Sequence, residues 1–285
     1  MIDRVEPTAT IRGVRVPRFC YGTAWKEDAT EALADAALGA GFRAIDTANQ
    51  RKHYFEEGAG RAIARRLREG MPRDELFVQS KFTYRGGQDD RLPYDPGAPI
   101  REQVAQSFES SLAHLGLDRL DSLVLHGPSR RDGLGPDDRE AWHAMEALAA
   151  AGRVALIGIS NATAAQVDQL AGLARIPPAF VQNRCHAERG WDAGVREACA
   201  RHGIVYQGFS LLTANRHVLA QRGVRELAER RGVTPAQLVF RFALQLGMIP
   251  LTGTSDPAHM AQDLAVFDFE LTAAELGLVE AAGRP

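Results

Sequence analysis

Short apolar runs and amphipathic segments alternate from one end of this sequence to the other, with no Pro-, Gly- or Ser-rich tract dividing them. Such alternation is the pattern of βα units around a parallel sheet. Eight runs read as strands: Arg18–Tyr21, Ala44–Asp46, Leu76–Ser80, Ser122–Leu125, Ala155–Ile159, Phe180–Gln182, Val205–Phe209 and Met248–Leu251. Helical spacing follows most of them, over Thr30–Leu38, Val104–Leu115, Ala141–Ala151, Ala164–Ala174, Ala193–Arg201 and Pro235–Leu246. Thr234 and Pro235 place an N-cap and a first-turn proline at the head of the last helix. Ahead of the first strand, ATIRGVRVPRF has β-prone stretches on either side of Arg12-Gly13 and predicts a hairpin.

A closed barrel of eight units needs roughly 250 residues, and 285 are present. An open doubly wound sheet would carry GxGxxG after its first strand, and none stands there. The expected fold class is therefore α/β, a (β/α)8 TIM barrel with an N-terminal β-hairpin, formed by residues 1–285 as one domain. Lys plus Arg number 34 and Asp plus Glu 36, a net charge of −2. That balance argues against nucleic acid or an anionic membrane as partner. No apolar run reaches the roughly 18 residues of a membrane span, and the polar start, MIDRVEPTATIRG, is unlike a signal peptide. Three cysteines without a CxxC pair fit a reducing compartment, so a cytoplasmic location is expected.

Barrels of this kind build their sites at the C-terminal ends of the strands. The residues there are Asp46, Lys81, His126, Ser160-Asn161, Gln182, Phe209-Ser210 and Thr252. An acid, an amine, an imidazole, hydroxyls and amides thus converge on one face. Asp46 and Lys81 satisfy each other's charge when buried. An ammonium beside a phenol favours phenolate, so a neighbouring Tyr is expected to have a lowered pKa and to act as a general acid. His126 can donate to a carbonyl oxygen and polarise it. Ser160, Asn161 and Gln182 suit an amide-bearing ring. No nucleophile–base pair is present for acyl transfer. The long polar connection Tyr84–Pro99 follows the third strand, and loops of that length usually serve a site.

The motifs GFRAIDTA, the SK of FVQSKF, LHGP, GRVALIGISN, VQNRCH, GFSLL and IPLTGTS, in this order, resemble those of the aldo-keto reductase superfamily over nearly the whole chain. The variant ANQRKHYFEEGAG points to a less studied branch. The resemblance implies a barrel that binds NADPH, with NADH as the other possibility, and uses no metal. It implies hydride transfer to an aldehyde or ketone with a Tyr supplying the proton, usually by a monomer. The matching tetrad is Asp46, Tyr54, Lys81 and His126. By the same resemblance Thr23, Asp46, Ser160, Asn161, Gln182, Phe209, Ser210 and Leu212 contact the nicotinamide and pyrophosphate. Thr252, Thr254, Ser255, His259 and Asp263 face the adenosine end, and Trp25 and Tyr84 wall the substrate pocket.

Three departures stand out. The family's Tyr position, counted from Asp46, falls on Arg51; counted back from Gly60 it points to Tyr54, with His53 as the local competitor. Phe209 replaces the Tyr that stacks beneath the nicotinamide, and Leu251 and His259 replace the Lys and Arg that clasp the 2′-phosphate. Helix amides near Asp256-Pro257 are expected to assist there. Two other functions remain open: a Schiff-base aldolase using Lys81, and a nicotinamide-binding redox sensor without turnover. Borohydride trapping on Lys81 identifies the first; binding without reduction of any carbonyl identifies the second.

Overall fold

The polar break at Arg12-Gly13 turns the chain back on itself. β1 (Thr8–Ile11) pairs antiparallel with β2 (Val14–Pro17), Ile11 opposite Val14. Arg12 (φ 49°) and Gly13 (φ 81°) are both left-handed, as a two-residue hairpin turn of the strand-matching type demands. This computed structural model describes residues 5–283. After the hairpin, eight parallel strands close into a barrel: β3 (Cys20–Gly22), β4 (Ala44–Asp46), β5 (Phe77–Phe82), β6 (Leu120–Leu125), β7 (Val154–Ser160), β8 (Phe180–Arg184), β9 (Val205–Phe209) and β10 (Ile249–Thr252). They neighbour one another in chain order, and β10 returns to pair with β3. The expected (β/α)8 fold with its hairpin is the fold observed, with strand ends displaced by one or two residues.

Helices cover the outside: α1 (Thr30–Ala40), α2 (Glu56–Arg68), α3 (Ile100–Leu115), α4 (Pro136–Ala150), α5 (Ala164–Leu173), α6 (Ala193–Arg201), α7 (Arg216–Ala220), α8 (Arg222–Arg231), α9 (Pro235–Gln245), α10 (Pro257–Leu264) and α11 (Ala273–Ala281). Thr234 caps α9 by accepting from the Gln237 amide at 3.1 Å, with Pro235 in the first turn, as its sequence requires. No helix among the described residues is long and apolar enough to cross a membrane. The hairpin packs at the N-terminal ends of the strands, where Ile11 and Val16 meet Cys20, Ala44, Phe77, Phe180 and Ile249. Arg12 reaches from its turn to the carbonyls of Pro177 and Pro178. One end of the barrel is thereby covered.

Helix α2 carries few large apolar residues, and its inner face is built from Gly58, Ala59, Gly60, Ala62 and Ile63. Gly60 lets it approach the end of α3, because a Cβ there would overlap the backbone of His114 and Leu115. Arg65 donates to Glu31 of α1 at 2.8 Å and Arg66 to the Asp35 carbonyl at 2.9 Å, so this arginine pair staples two helices. Buried Glu56, the first residue of α2, accepts from Ser80 of β5 (2.5 Å), Ser111 of α3 (3.1 Å) and His114 (3.2 Å). That knot ties the start of α2 to the strand that carries Lys81.

The hydrogen bond to Glu56 raises the His114 pKa, against a smaller opposing effect of burial, and the Glu56 charge adds to the rise. A raised folded-state pKa gives stability that is full below the unfolded value and is lost as pH rises through the folded one. Urea unfolding is thus expected to show about 0.5 kcal/mol less stability in mild alkali than in mild acid from this pair, the scale of a partly exposed contact. His114→Gln should remove that component; an unchanged pH difference in the variant would assign it elsewhere.

Candidate active site

Alternation along β5 sends Gln79 and Lys81 inward and Ser80 outward. Cross-strand register sets Gln79 opposite Asp46 of β4, and Gln182 of β8 opposite Gln207 of β9. These side chains form one network inside the barrel. Lys81 Nζ donates to Asp46 Oδ2 at 2.7 Å and to the Thr47 carbonyl at 2.8 Å. Asp46 Oδ1 accepts from Gln79 Nε2 (2.7 Å) and Gln182 Nε2 (2.9 Å), and both amides also donate to Gln207 Oε1. Lys81 is 1% exposed and Asp46 3%. Such a pair is tolerable because the two charges face each other and further hydrogen bonds reach both groups. Burial works to lower the Lys81 pKa; Asp46 overcomes it and, with Tyr54, leaves the amine raised and charged.

The residues before Tyr54 form a tight turn. The His53 and Tyr54 amides both donate to the Gln50 carbonyl, at 3.1 and 3.0 Å. The turn swings Tyr54 over Lys81, whose Nζ lies 5.1 Å from the ring centroid. It swings His53 aside: that ring stacks on Trp25 at 3.8 Å between centroids, and its Nδ1 lies 2.9 Å from Gln50 Oε1. The Tyr54 and His126 rings meet edge to face at 5.9 Å. Tyr54 and His53 therefore take different places, and Tyr54 is the one beside the buried ammonium.

The expectation of a lowered Tyr54 pKa is corrected by the surroundings. Burial raises it and outweighs the attraction of Lys81, while Asp46 pushes in the same direction as burial. The resting side chain is a phenol, with a proton to give. His126 is shifted down to about 3, first by burial and then by Lys81 and His53, so the imidazole is neutral. Thr83 Oγ1 lies 2.6 Å from its Nδ1.

A cavity of about 970 Å³ opens over these residues, within the range of small-molecule sites. Asp46, Tyr54, His126, Ser160, Asn161, Gln182 and Phe209 line it, together with Ser210, Leu212, Thr252, Thr254, His259 and Asp263 from the last βα units. Lys81 and Thr23 are buried behind that wall, and Ser255 is exposed outside it. Thr23 donates to the Asp46 carbonyl at 3.1 Å and acts as a strut. Asn161 (φ 53°) and Ser210 (φ 56°) both hold left-handed backbone at the cavity edge, a strain that clusters at sites. The Asn161 amide donates to the His126 carbonyl at 2.8 Å, and Ser160 Oγ to the Gln182 carbonyl at 2.6 Å. Trp25 is 71% exposed at the mouth. Tyr84 donates to Asp138 at 3.0 Å, and burial with Asp138 drives its phenol pKa upward.

The region of β10 and α10 differs from what the sequence implies about phosphate contacts. The α10 amide of Ala258 already bonds the Asp256 carboxylate at 2.8 Å, so the helix start is capped by a negative group. Thr252 Oγ1 donates to Asp263 at 2.7 Å. Burial raises Asp263 to about 6, against the opposing pull of that hydroxyl and of His259. Arg184, 5.6 Å from the Phe209 ring, is the one Lys or Arg on the cavity wall among the described residues.

Sequence reasoning passes over Gln79, Gln207 and Thr83. The alternating pattern of FVQSK holds a signal for Gln79, which shares the inward face with Lys81. The connection Tyr84–Pro99 folds back on the site: Tyr94 and Gln88 are buried and donate to the Thr83 carbonyl at 2.8 and 3.3 Å.

The model of the aldo/keto reductase family matches residues 19–284. An aldo-keto reductase of Mycolicibacterium vanbaalenii is 35% identical over 246 residues, covering 86% of this chain and 80% of its own. The uncharacterized oxidoreductase YtbE of Bacillus subtilis is 30% identical and covers 99% and 94%. Among solved structures, MGS-M4, an aldo-keto reductase enzyme from a Medee basin deep-sea metagenome library, superposes with a TM-score of 0.83 at 25% identity, covering 97% and 94%. An aldo/keto reductase of Brucella melitensis gives 0.82 at 26%, covering 99% of both chains. With its barrel, its motifs and a family match across almost all of its length, the chain belongs to the aldo/keto reductase family of oxidoreductases.

Proposed function

We propose that the protein is an NAD(P)H-dependent carbonyl reductase that converts an aldehyde or ketone to an alcohol, with Tyr54 as proton donor. The observation that carries this reading is the Asp46–Lys81 pair, buried beneath a protonated phenol and beside a neutral imidazole that both line the cavity. The residues present suit a nicotinamide dinucleotide. Phe209 offers an aromatic face, while Ser160, Asn161 and Gln182 offer polar atoms for a carboxamide. The nucleotide, when bound, supplies the hydride.

The protein's own groups do the rest. His126 donates a hydrogen bond to the substrate oxygen and orients the carbonyl. Tyr54 gives its proton to that oxygen as negative charge develops. The Lys81 ammonium stabilises the phenolate left behind, and Asp46, with two amides on its other oxygen, holds the ammonium in place. The Trp25 and Tyr84 walls suit a substrate with an apolar or aromatic body. Lys81 is charged, hydrogen-bonded to Asp46 and the Thr47 carbonyl and set behind the wall, whereas a Schiff-base amine must be neutral and open to substrate.

Titration with NADPH and with NADH, followed by quenching of tryptophan emission, tests the reading, since Trp25 stands on the cavity wall. We expect both nucleotides to bind. With Asp256 already capping α10 and Leu251 and His259 at the phosphate end, their affinities should lie within about tenfold of each other. Consumption of reduced nucleotide with a carbonyl panel should follow. Binding with no turnover would favour the sensor, and no binding together with borohydride trapping on Lys81 would favour the aldolase.

A further inference from the structure

The carbonyl-orienting role of His126 needs a hydrogen on the nitrogen that faces the cavity, and a neutral imidazole carries only one. Its neighbours decide which nitrogen has it. His126 directly follows β6, and its amide donates to the Phe82 carbonyl at 2.9 Å. That contact sets it beside Thr83, the residue that follows β5. Thr83 Oγ1 lies 2.6 Å from Nδ1.

Both residues are held at the backbone. The Thr83 carbonyl accepts from Tyr94 and Gln88, and the His126 carbonyl from Asn161. Thr83 is 5% exposed. Among the described residues its hydroxyl has one hydrogen-bond partner, His126 Nδ1. If Nδ1 carried the proton, the Thr83 hydroxyl would accept from it, and its own hydrogen would have no protein acceptor among the described residues. That arrangement costs on the order of a lost hydrogen bond. If Thr83 donates instead, both groups are satisfied, and Nε2 carries the hydrogen on the cavity side.

We propose that Thr83 is a positioning residue whose hydroxyl donates to His126 Nδ1 and so fixes the imidazole as the Nε2–H tautomer. The long connection Tyr84–Pro99 contributes by binding the Thr83 carbonyl, which aims the hydroxyl. The inference rests on the reductase reading for the use made of Nε2–H, but the tautomer is measurable without any turnover.

The test is a long-range ¹H–¹⁵N spectrum of protein labelled at histidine, with and without bound nucleotide, in which His126→Asn identifies the His126 signals. The expected result is Nε2–H for His126 at neutral pH. Thr83→Val, which keeps the shape and removes the hydroxyl, should give a mixture of tautomers. It should also lower kcat about tenfold, the equivalent of one hydrogen bond, with nucleotide affinity unchanged. Thr83→Ser should restore both. An Nδ1–H signal in the wild type would overturn the proposal, as would a Thr83→Val protein with wild-type tautomer and kcat. Nε2–H in a protein that reduces no carbonyl would support the tautomer lock while removing the reductase reading.

Discussion

Tyr54→Phe is expected to cut carbonyl reduction by about 10²–10⁴-fold, the usual worth of a positioned general acid, while nucleotide affinity stays within about twofold. The ring persists, so its packing over Lys81 and against His126 persists; only the proton is lost. The neighbouring His53 is a poor substitute, because its ring is stacked on Trp25 with Nδ1 turned to Gln50. His53→Ala should therefore cost less than about tenfold in kcat, below what loss of a general acid costs. Steady-state rates and tryptophan quenching on the two variants settle the assignment. A greater loss from His53→Ala than from Tyr54→Phe would move the acid to His53.

Asp46→Leu should lower the unfolding free energy by about 3–5 kcal/mol, the cost of leaving one partner of a buried ion pair alone. Lys81, Gln79 and Gln182 each lose one of their two acceptors at once, and the ammonium loses its counter-charge. The melting temperature should drop by about 5–8 °C for a chain of this size. Adding Lys81→Met to the same chain should recover most of the loss, because the stranded charge is then gone. The double variant should remain inactive. Denaturant unfolding of the single and double variants measures this directly. A double variant less stable than Asp46→Leu would mean that the pair's charge is not the source of the cost.

The barrel is legible in the sequence because β and α periods alternate cleanly, and each strand ends on a residue unlike the apolar run before it. Asp46, Lys81, His126, Ser160, Asn161 and Gln182 stand out in that way. Gln79 and Gln207 do not, since a buried amide within a strand looks like any polar strand residue until register puts Gln79 opposite Asp46 and Gln207 opposite Gln182. Glu56 and His114 lie 58 positions apart and meet only through the crossing of α2 and α3. Helix α2 itself escapes the periodicity because alanine and glycine make its inner face. The Tyr54 pKa is misread from sequence because the motifs name the cation beside it but not the burial that outweighs the cation.

The hairpin at the closed end of the barrel bears on how the molecule can be handled. Arg15 of β2 is exposed there, on the side away from the cavity, while Cys20, Cys185 and Cys199 are all buried. A thiol introduced by Arg15→Cys would be the sole accessible one among the described residues. Coupled through it to a resin or sensor surface, every molecule would stand in the same orientation, its mouth toward the solution.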